Sequence, residues 1–155
     1  MDVETADIRD IDALVDLRLA YLREDLGLRD GAEKEAIREG LPDYYRAHIN
    51  RDLFVYVIRD GRDIVSCAFL LIIEKPMSPS FITGKTGTVM NVYTSPSYRR
   101  RGLAGRIMRK LIDGAKEKDV SVIELKSTDD GYSLYKSVGF TDDRPKYHLM
   151  KWKNQ

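Results

Sequence analysis

The segment "SPSYRRRGLAGRIMRKL", residues 95–111, holds five arginines together with Gly102 and Gly105. Guanidinium groups are permanently charged forks that match carboxylate or phosphate oxygens, so this density of them calls for an anion. Their setting narrows the anion. A β-type run, "TVMNVYT", precedes the loop "SPSYRRRG", and an amphipathic helical run follows it. The first N–H groups of a helix have no partner inside it and carry partial positive charge, so this order makes a phosphate cradle. Gly102 removes a Cβ from the point of closest approach, and Ala104 keeps the next contact small. Arg99, Arg100 and Arg101 add formal charge. Two other phosphate loops are excluded. The Walker pattern needs a Gly-Lys-Ser/Thr ending, and the dinucleotide fingerprint needs three spaced glycines after the first strand; neither is present.

Composition restricts the partner further. Lysine and arginine total 26 against 25 aspartates and glutamates, a formal net charge of +1. A global field for nucleic acid is absent, and so is a motif of stacking aromatics; an RNA-binding module is therefore the weakest reading of the arginines. The longest apolar run, Cys67 to Ile73, is far below the roughly 20 residues that span a bilayer. The start, "MDVETADIRD", is acidic and unlike a signal peptide. Neither nucleic acid nor a membrane is expected as a partner, and the protein is expected to be soluble and cytoplasmic. One cysteine excludes an internal disulfide. Cys67, His48 and His148 lack ligand spacing, so no metal is expected. Cys67 reads as a small buried hydrophobe and His148 as structural.

The elements that must position the loop follow from periodicity. At 155 residues the chain is expected to form a single domain over 1–155. "DIRDIDALVDLRLAYLRED" reads as a helix capped by Asp10 and ended by Gly27, with Ile11, Leu14, Val15, Leu19, Leu22 and Leu26 on one face. Residues 31–52 are helical, with a break expected at Gly40-Leu41-Pro42. "LFVYVIRDGRDIVSCAFLLIIEK" is two strands around the turn Asp60-Gly61, apolar on both faces and so covered on both. A loop over 76–87 leads to the strand 88–94. A helix over 102–118, a strand over 120–127, a short helix over 129–138 closed by Gly139, and a closing strand "YHLMKW" complete the order, with a short strand near residues 2–6. This is a mixed α/β fold around one sheet.

Arg99-x-x-Gly102-x-Ala104 after a late strand resembles the pyrophosphate loop of the GNAT N-acetyltransferase superfamily, Gln/Arg-x-x-Gly-x-Gly/Ala. "NVYTSPSYRRRGLA" is similar to that family's fourth strand and loop. "GYSLYKSVGF" resembles its "A-x-x-LY-x-x-x-GF" segment. The match covers residues 86 to 152. It implies a largely antiparallel, splayed central sheet flanked by helices on both faces, and an N-acetyltransferase that moves the acetyl group of acetyl-CoA to a primary amine by direct attack in a ternary complex. It further implies that the backbone of Val92, Tyr93 and Thr94 pairs with the pantetheine arm. Amides from Arg100 through Gly105, including those of Arg101, Gly102, Leu103 and Ala104, hold the pyrophosphate. A loop arginine or Arg106 meets the 3′-phosphate. The Val92 amide supports the carbonyl oxygen, and Tyr135 protonates the leaving thiolate. The acceptor is a small-molecule or peptide amine, and homodimers are common in the family.

The chain departs from the family at three places. Many relatives carry a glutamate on the fourth strand as general base, whereas "GTVMNVYT" has no acid and offers Asn91. Thr128 stands where Asn is usual, and Gly131 where Ala is usual. The missing acid motivates a second reading, a non-catalytic acyl-CoA-binding sensor or interaction domain. Arg18 lies on the apolar seam of the first helix, where it either faces an acceptor pocket or pairs with a carboxylate at the helix edge; the pairing is the expectation. Tyr44 and Tyr45 either line the acceptor site or pack in the core or on the surface.

Overall fold

The structure is a computed structural model that describes residues 1–154. A five-stranded sheet runs in the order β1-β2-β3-β4-β5. Its strands are β1 (Val3–Thr5), β2 (Leu53–Asp60), β3 (Asp63–Glu74), β4 (Lys85–Thr94) and β5 (Val122–Glu124). The first four are antiparallel neighbours, and β5 joins β4 in parallel. α1 (Ile11–Leu26) and α2 (Ala32–His48) precede the β2–β3 hairpin. α3 (Leu103–Glu117) connects β4 to β5, and α4 (Tyr132–Ser137) follows β5. The mixed, mostly antiparallel architecture with covered faces is the one expected from the sequence.

The two apolar faces of the hairpin each have their own cover. Val55, Val57, Cys67, Phe69 and Tyr93 point towards α1 and α2, where they meet Leu14, Val15 and Tyr45. Tyr56, Ile58, Ala68, Leu70 and Val89 point the other way, onto Leu103, Ile107, Met108 and Leu111 of α3. Each large side chain so buried contributes about 1.5–3 kcal/mol. The sheet is thereby held as a rigid middle layer, and its strand ends are fixed relative to both helical layers.

Three local expectations change. α2 runs unbroken through Pro42. Its apolar side chains Ile37, Leu41 and Tyr45 keep helical spacing across the proline and all pack on the same cluster, which outweighs one lost backbone bond. Asp10 makes no cap bond to α1. Its carboxylate instead accepts from the Asp7 amide and from both terminal nitrogens of Arg59, tying the start of α1 to β2. The closing strand over 147–152 is not formed. Those residues have no regular secondary structure and are exposed, with Leu149, Met150 and Trp152 at 90%, 91% and 82%. A strand pattern becomes a strand only through a paired ladder, and here the segment has no partner among the described strands. His148 accordingly sits on an exposed, irregular segment.

α3 packs tightly on the sheet at Gly114. A Cβ there would overlap the Tyr56 hydroxyl, with the ring carbon Cζ 3.1 Å away. Gly114→Ala is expected to cost about 1–3 kcal/mol in urea unfolding, the range for overpacking. Adding Tyr56→Phe should recover much of that loss, and independent, additive costs in the double-mutant cycle would show that the contact is not the cause.

Candidate active site

β4 and β5 share only the pairs Thr86–Val122, Gly87–Ile123 and Thr88–Glu124, whereas β3 accompanies β4 along its whole length. Beyond Thr88 the outer edge of β4 is open. The register with β3 also breaks here. Cys67 faces Tyr93 and Phe69 faces Met90, so two residues of β4, Asn91 and Val92, oppose the single Ala68. This is a β-bulge, and Asn91 supplies its left-handed residue with φ +53°. Asparagine is among the few non-glycine types that enter this region at modest cost.

The bulge decides where the backbone points. The Cys67 thiol donates to the Asn91 carbonyl at 3.5 Å, so that carbonyl faces β3. The Val92 N–H lies in the same planar, trans peptide and therefore points away from β3, into the open edge. On the other side of Tyr93, the Ser95 amide donates to Val65 at 2.8 Å, which turns the backbone of Thr94 outward as well. The Tyr93 amide faces Cys67. Of the three strand residues singled out in the sequence, Val92 and Thr94 present backbone to the opening, and Tyr93 is turned inward. The Thr94 carbonyl is already occupied by Arg99 Nε at 2.8 Å.

The loop after β4 makes one 3-10 turn (Pro96–Tyr98) and enters α3 through Arg100 at φ +63° and Gly102 at φ +74°. The first bond inside the helix runs from the Arg106 amide to the Gly102 carbonyl, which leaves the amides of Leu103, Ala104 and Gly105 outside the helical ladder. Nothing lies within 4 Å of a Cβ built on Gly102, so the mouth of the loop is open. A diphosphate fits this cradle by charge and by space.

The arginines are not equivalent. Arg99 turns back over the Tyr93 ring and donates to Glu24 of α1 at 2.7 Å. That pair raises the guanidinium pKa and holds the Glu24 carboxyl below its ordinary range. Arg101 lies over the Tyr98 ring and reaches the Ser97 carbonyl, and Arg106 donates to the Met1 carbonyl. Arg100 is exposed.

α4 packs Tyr135 on the same core cluster as Val92. Its ring packs edge-on to Phe140 with centroids 6.0 Å apart. A Cβ on Gly131 would lie 2.8 Å from Tyr135 Cε2, so glycine in place of the usual alanine lets the ring settle against the backbone. Burial, and the Tyr21 phenol of α1, push the Tyr135 hydroxyl up to about 12. It is a neutral proton donor throughout the physiological range.

The sequence of residues 13–140 matches the model of the acetyltransferase (GNAT) family. The chain belongs to that family. No curated protein matches it. Among solved structures, a predicted acetyltransferase with acetyl-CoA from Clostridium acetobutylicum is 28% identical, covers 96% of this chain and 95% of its own, and superposes with a TM-score of 0.83. A GCN5-related N-acetyltransferase from Ralstonia eutropha JMP134 is 24% identical with a TM-score of 0.79, over 96% of this chain and 97% of that one. Glucosamine-6-phosphate N-acetyltransferase from Arabidopsis thaliana shares the fold at 17% identity, with a TM-score of 0.71 over 99% and 98% of the two chains. The GNAT fold accounts for the layout of the opening: a splayed β4, a loop running into α3, and a tyrosine on α4.

Two features of this GNAT chain escaped the sequence. Arg18 does not pair with a carboxylate; it crosses from α1 to Asn91 of the bulge, with Nη1 to Oδ1 at 3.3 Å. His48 and Asp52 form a pair at the end of α2, Nδ1 to Oδ1 2.9 Å, with the His48 ring 4.5 Å from that of Tyr44. The i, i+4 spacing was a signal for the second; nothing local signalled the first. Tyr45 is core, and Tyr44 is 38% exposed. A groove of about 1220 Å³ lies at the far β1 edge. Asp7 pairs there with Arg9, and Glu4 and Asp10 with Arg59, while Arg62 and Lys110 of its lining join no ion pair among the described residues.

The burial of Tyr135 gives a direct test. The difference in phenolate absorbance between the parent protein and Tyr135→Phe should stay near zero at about pH 10.5 and grow only towards pH 12. Ionisation of Tyr135 centred near the ordinary value of 10 would put its hydroxyl in water.

Proposed function

We propose that this protein is an acetyl-CoA-dependent N-acetyltransferase that acts on a primary amine in a ternary complex, with residues 1–155 working as one domain. The observation that carries the reading is the bulge that turns the Val92 amide to the open edge of β4, with a loop that leads to unbonded amides at the start of α3. Acetyl-CoA supplies an activated acyl group whose transfer to an amine releases a thiolate. Amides from Arg100 to Gly105 hold its diphosphate, assisted by the α3 dipole. Exposed Arg100 is the best placed of the loop arginines to meet the 3′-phosphate. The outward backbone of Val92 and Thr94 pairs with the amide-bearing arm as an added strand would.

At the reacting centre the Val92 N–H donates to the carbonyl oxygen as negative charge develops on it, the role of an oxyanion-hole donor. Tyr135 donates its proton to the departing sulfur. Holding the amine beside the carbonyl contributes through orientation. β4 carries no acid, so the proton lost by the amine leaves by a route other than a strand glutamate. That lack also supports the second reading, a sensor that binds acetyl-CoA without turning it over.

Binding tests the cofactor, and turnover separates the two readings. Calorimetric titration with acetyl-CoA should show saturable 1:1 binding, weakened when the 3′-phosphate is removed. Gly102→Glu places bulk and negative charge at the cradle; affinity should fall at least ~30-fold, about 2 kcal/mol. Folding stability should drop by only about 1–2 kcal/mol, the cost of a non-glycine residue in the left-handed region. Unchanged affinity would mean that the loop does not hold the diphosphate. For catalysis, Tyr135→Phe should lower turnover roughly 100-fold with the affinity for acetyl-CoA retained. Turnover equal to the parent at every pH would remove Tyr135 from the mechanism, and binding without acceptor-dependent CoA release from any amine would favour the sensor.

A further inference from the structure

The cleft between α1 and the β4 bulge holds a cation that the transfer chemistry does not use. Arg18 is half-buried on α1, and its side chain lies across the opening beside Asn91. Its only hydrogen bond among the described residues is the long one from Nη1 to Asn91 Oδ1, and it joins none of the ion pairs formed among them. The remaining N–H donors of the fork are without protein acceptors. The groups beside it are uncharged: Tyr21, whose ring centroid is 5.9 Å from Arg18 Cζ, and Tyr44, Tyr45 and Asn91; the carboxylates of Asp25 and Asp52 lie beyond Tyr21 and Tyr44 and form no ion pair with it. Arg99, the other arginine that joins β4 to α1, is already neutralised by Glu24. A partly desolvated guanidinium left without an anion is costly unless a ligand supplies one.

The position is specific. From the Val92 nitrogen through Asn91 to Arg18 Nη1 the path is at most roughly 10 Å by standard bond lengths and the 3.3 Å contact. An amine placed beside the carbonyl that Val92 supports has Arg18 within reach of a group a few bonds away. One fork among neutral phenols balances one negative charge, and its planar geometry fits a carboxylate. Resting on the acetyltransferase reading above, we infer that the acceptor is a small primary amine that carries a carboxylate, and that Arg18 is the residue that reads it. The guanidinium keeps its bond to Asn91, which fixes its direction, and accepts the carboxylate with its free N–H groups. The amine end is thereby turned towards the thioester.

The test is steady-state CoA release from acetyl-CoA with the common free amino acids, β-alanine and 4-aminobutyrate, each beside its own carboxamide. The carboxamide keeps the shape and removes the charge. At least one carboxylated amine should be used with a kcat/KM roughly 10- to 100-fold above its carboxamide, mostly through KM, the range for a hydrogen-bonded charge. Arg18→Gln should bring that ratio to about 1 while acetyl-CoA still binds, and Arg18→Lys should keep part of it. Should Arg18→Gln fail to fold, the parent's ratio and that of Arg18→Lys decide. Equal use of carboxamides, a preference that survives in Arg18→Gln, or acetyl-CoA binding with no carboxylated amine turned over would overturn the inference and leave the cofactor reading standing. Failure to bind acetyl-CoA would overturn the acetyltransferase reading itself, and this inference with it.

Discussion

The left-handed backbone at Asn91 is the constraint on which the opening depends. An uninterrupted β4 would keep strict alternation against β3. The extra residue instead puts Met90 and Asn91 on the α1 side in succession, returns Val92 to the α3 side and sends Tyr93 back towards α1. It also turns the Val92 amide out of the ladder. Such a bulge is held only if its strained residue is satisfied. Here Asn91 is buried, accepts from Arg18 through its side chain and receives the Cys67 thiol on its carbonyl. Burial pushes the Cys67 thiol up to about 12, so it stays protonated and remains a donor.

The same residue explains why the missing strand acid need not be a defect. A carboxylate at position 91 would pair with Arg18 and neutralise it. An amide leaves the guanidinium's charge uncompensated while fixing its direction. Asn91 thus links two properties that look separate in the sequence, an absent general base and an unpaired cation. Gly131 is a similar case. Its departure from alanine is a matter of space, since the Tyr135 ring occupies the volume that a methyl group would take.

Charge in the arginine-rich loop is sorted by geometry as well. Backbone amides at the N-terminus of α3 are fixed by the helix and need no side chain to present them. Arg99 acts as a strut between the end of β4 and α1, and its pairing with Glu24 removes it from the pool of free cations. Arg101 and Arg106 hold the loop and the chain start in place. The cluster that first suggested an anion therefore braces a loop whose main-chain amides are left open.

Periodicity was enough for the order of elements, the two-faced hairpin, the turn at Asp60-Gly61 and the helix behind Gly102, because these patterns are local and repeat within a few residues. The loop motif and the "LYKSVGF" segment were legible for the same reason. What periodicity missed depends on contacts between distant parts of the chain. Pro42 stays inside α2 because a whole apolar face packs across it, and "YHLMKW" stays irregular because a strand needs a neighbour. Arg18 and Asn91 are 73 residues apart, and no spacing rule joins them. The sequence by itself determined the fold class and the loop that enters α3 through Gly102. Only the tertiary structure decided which backbone groups face the cleft and which cation is left free, since both follow from one extra residue in β4 set against a helix from the other end of the chain.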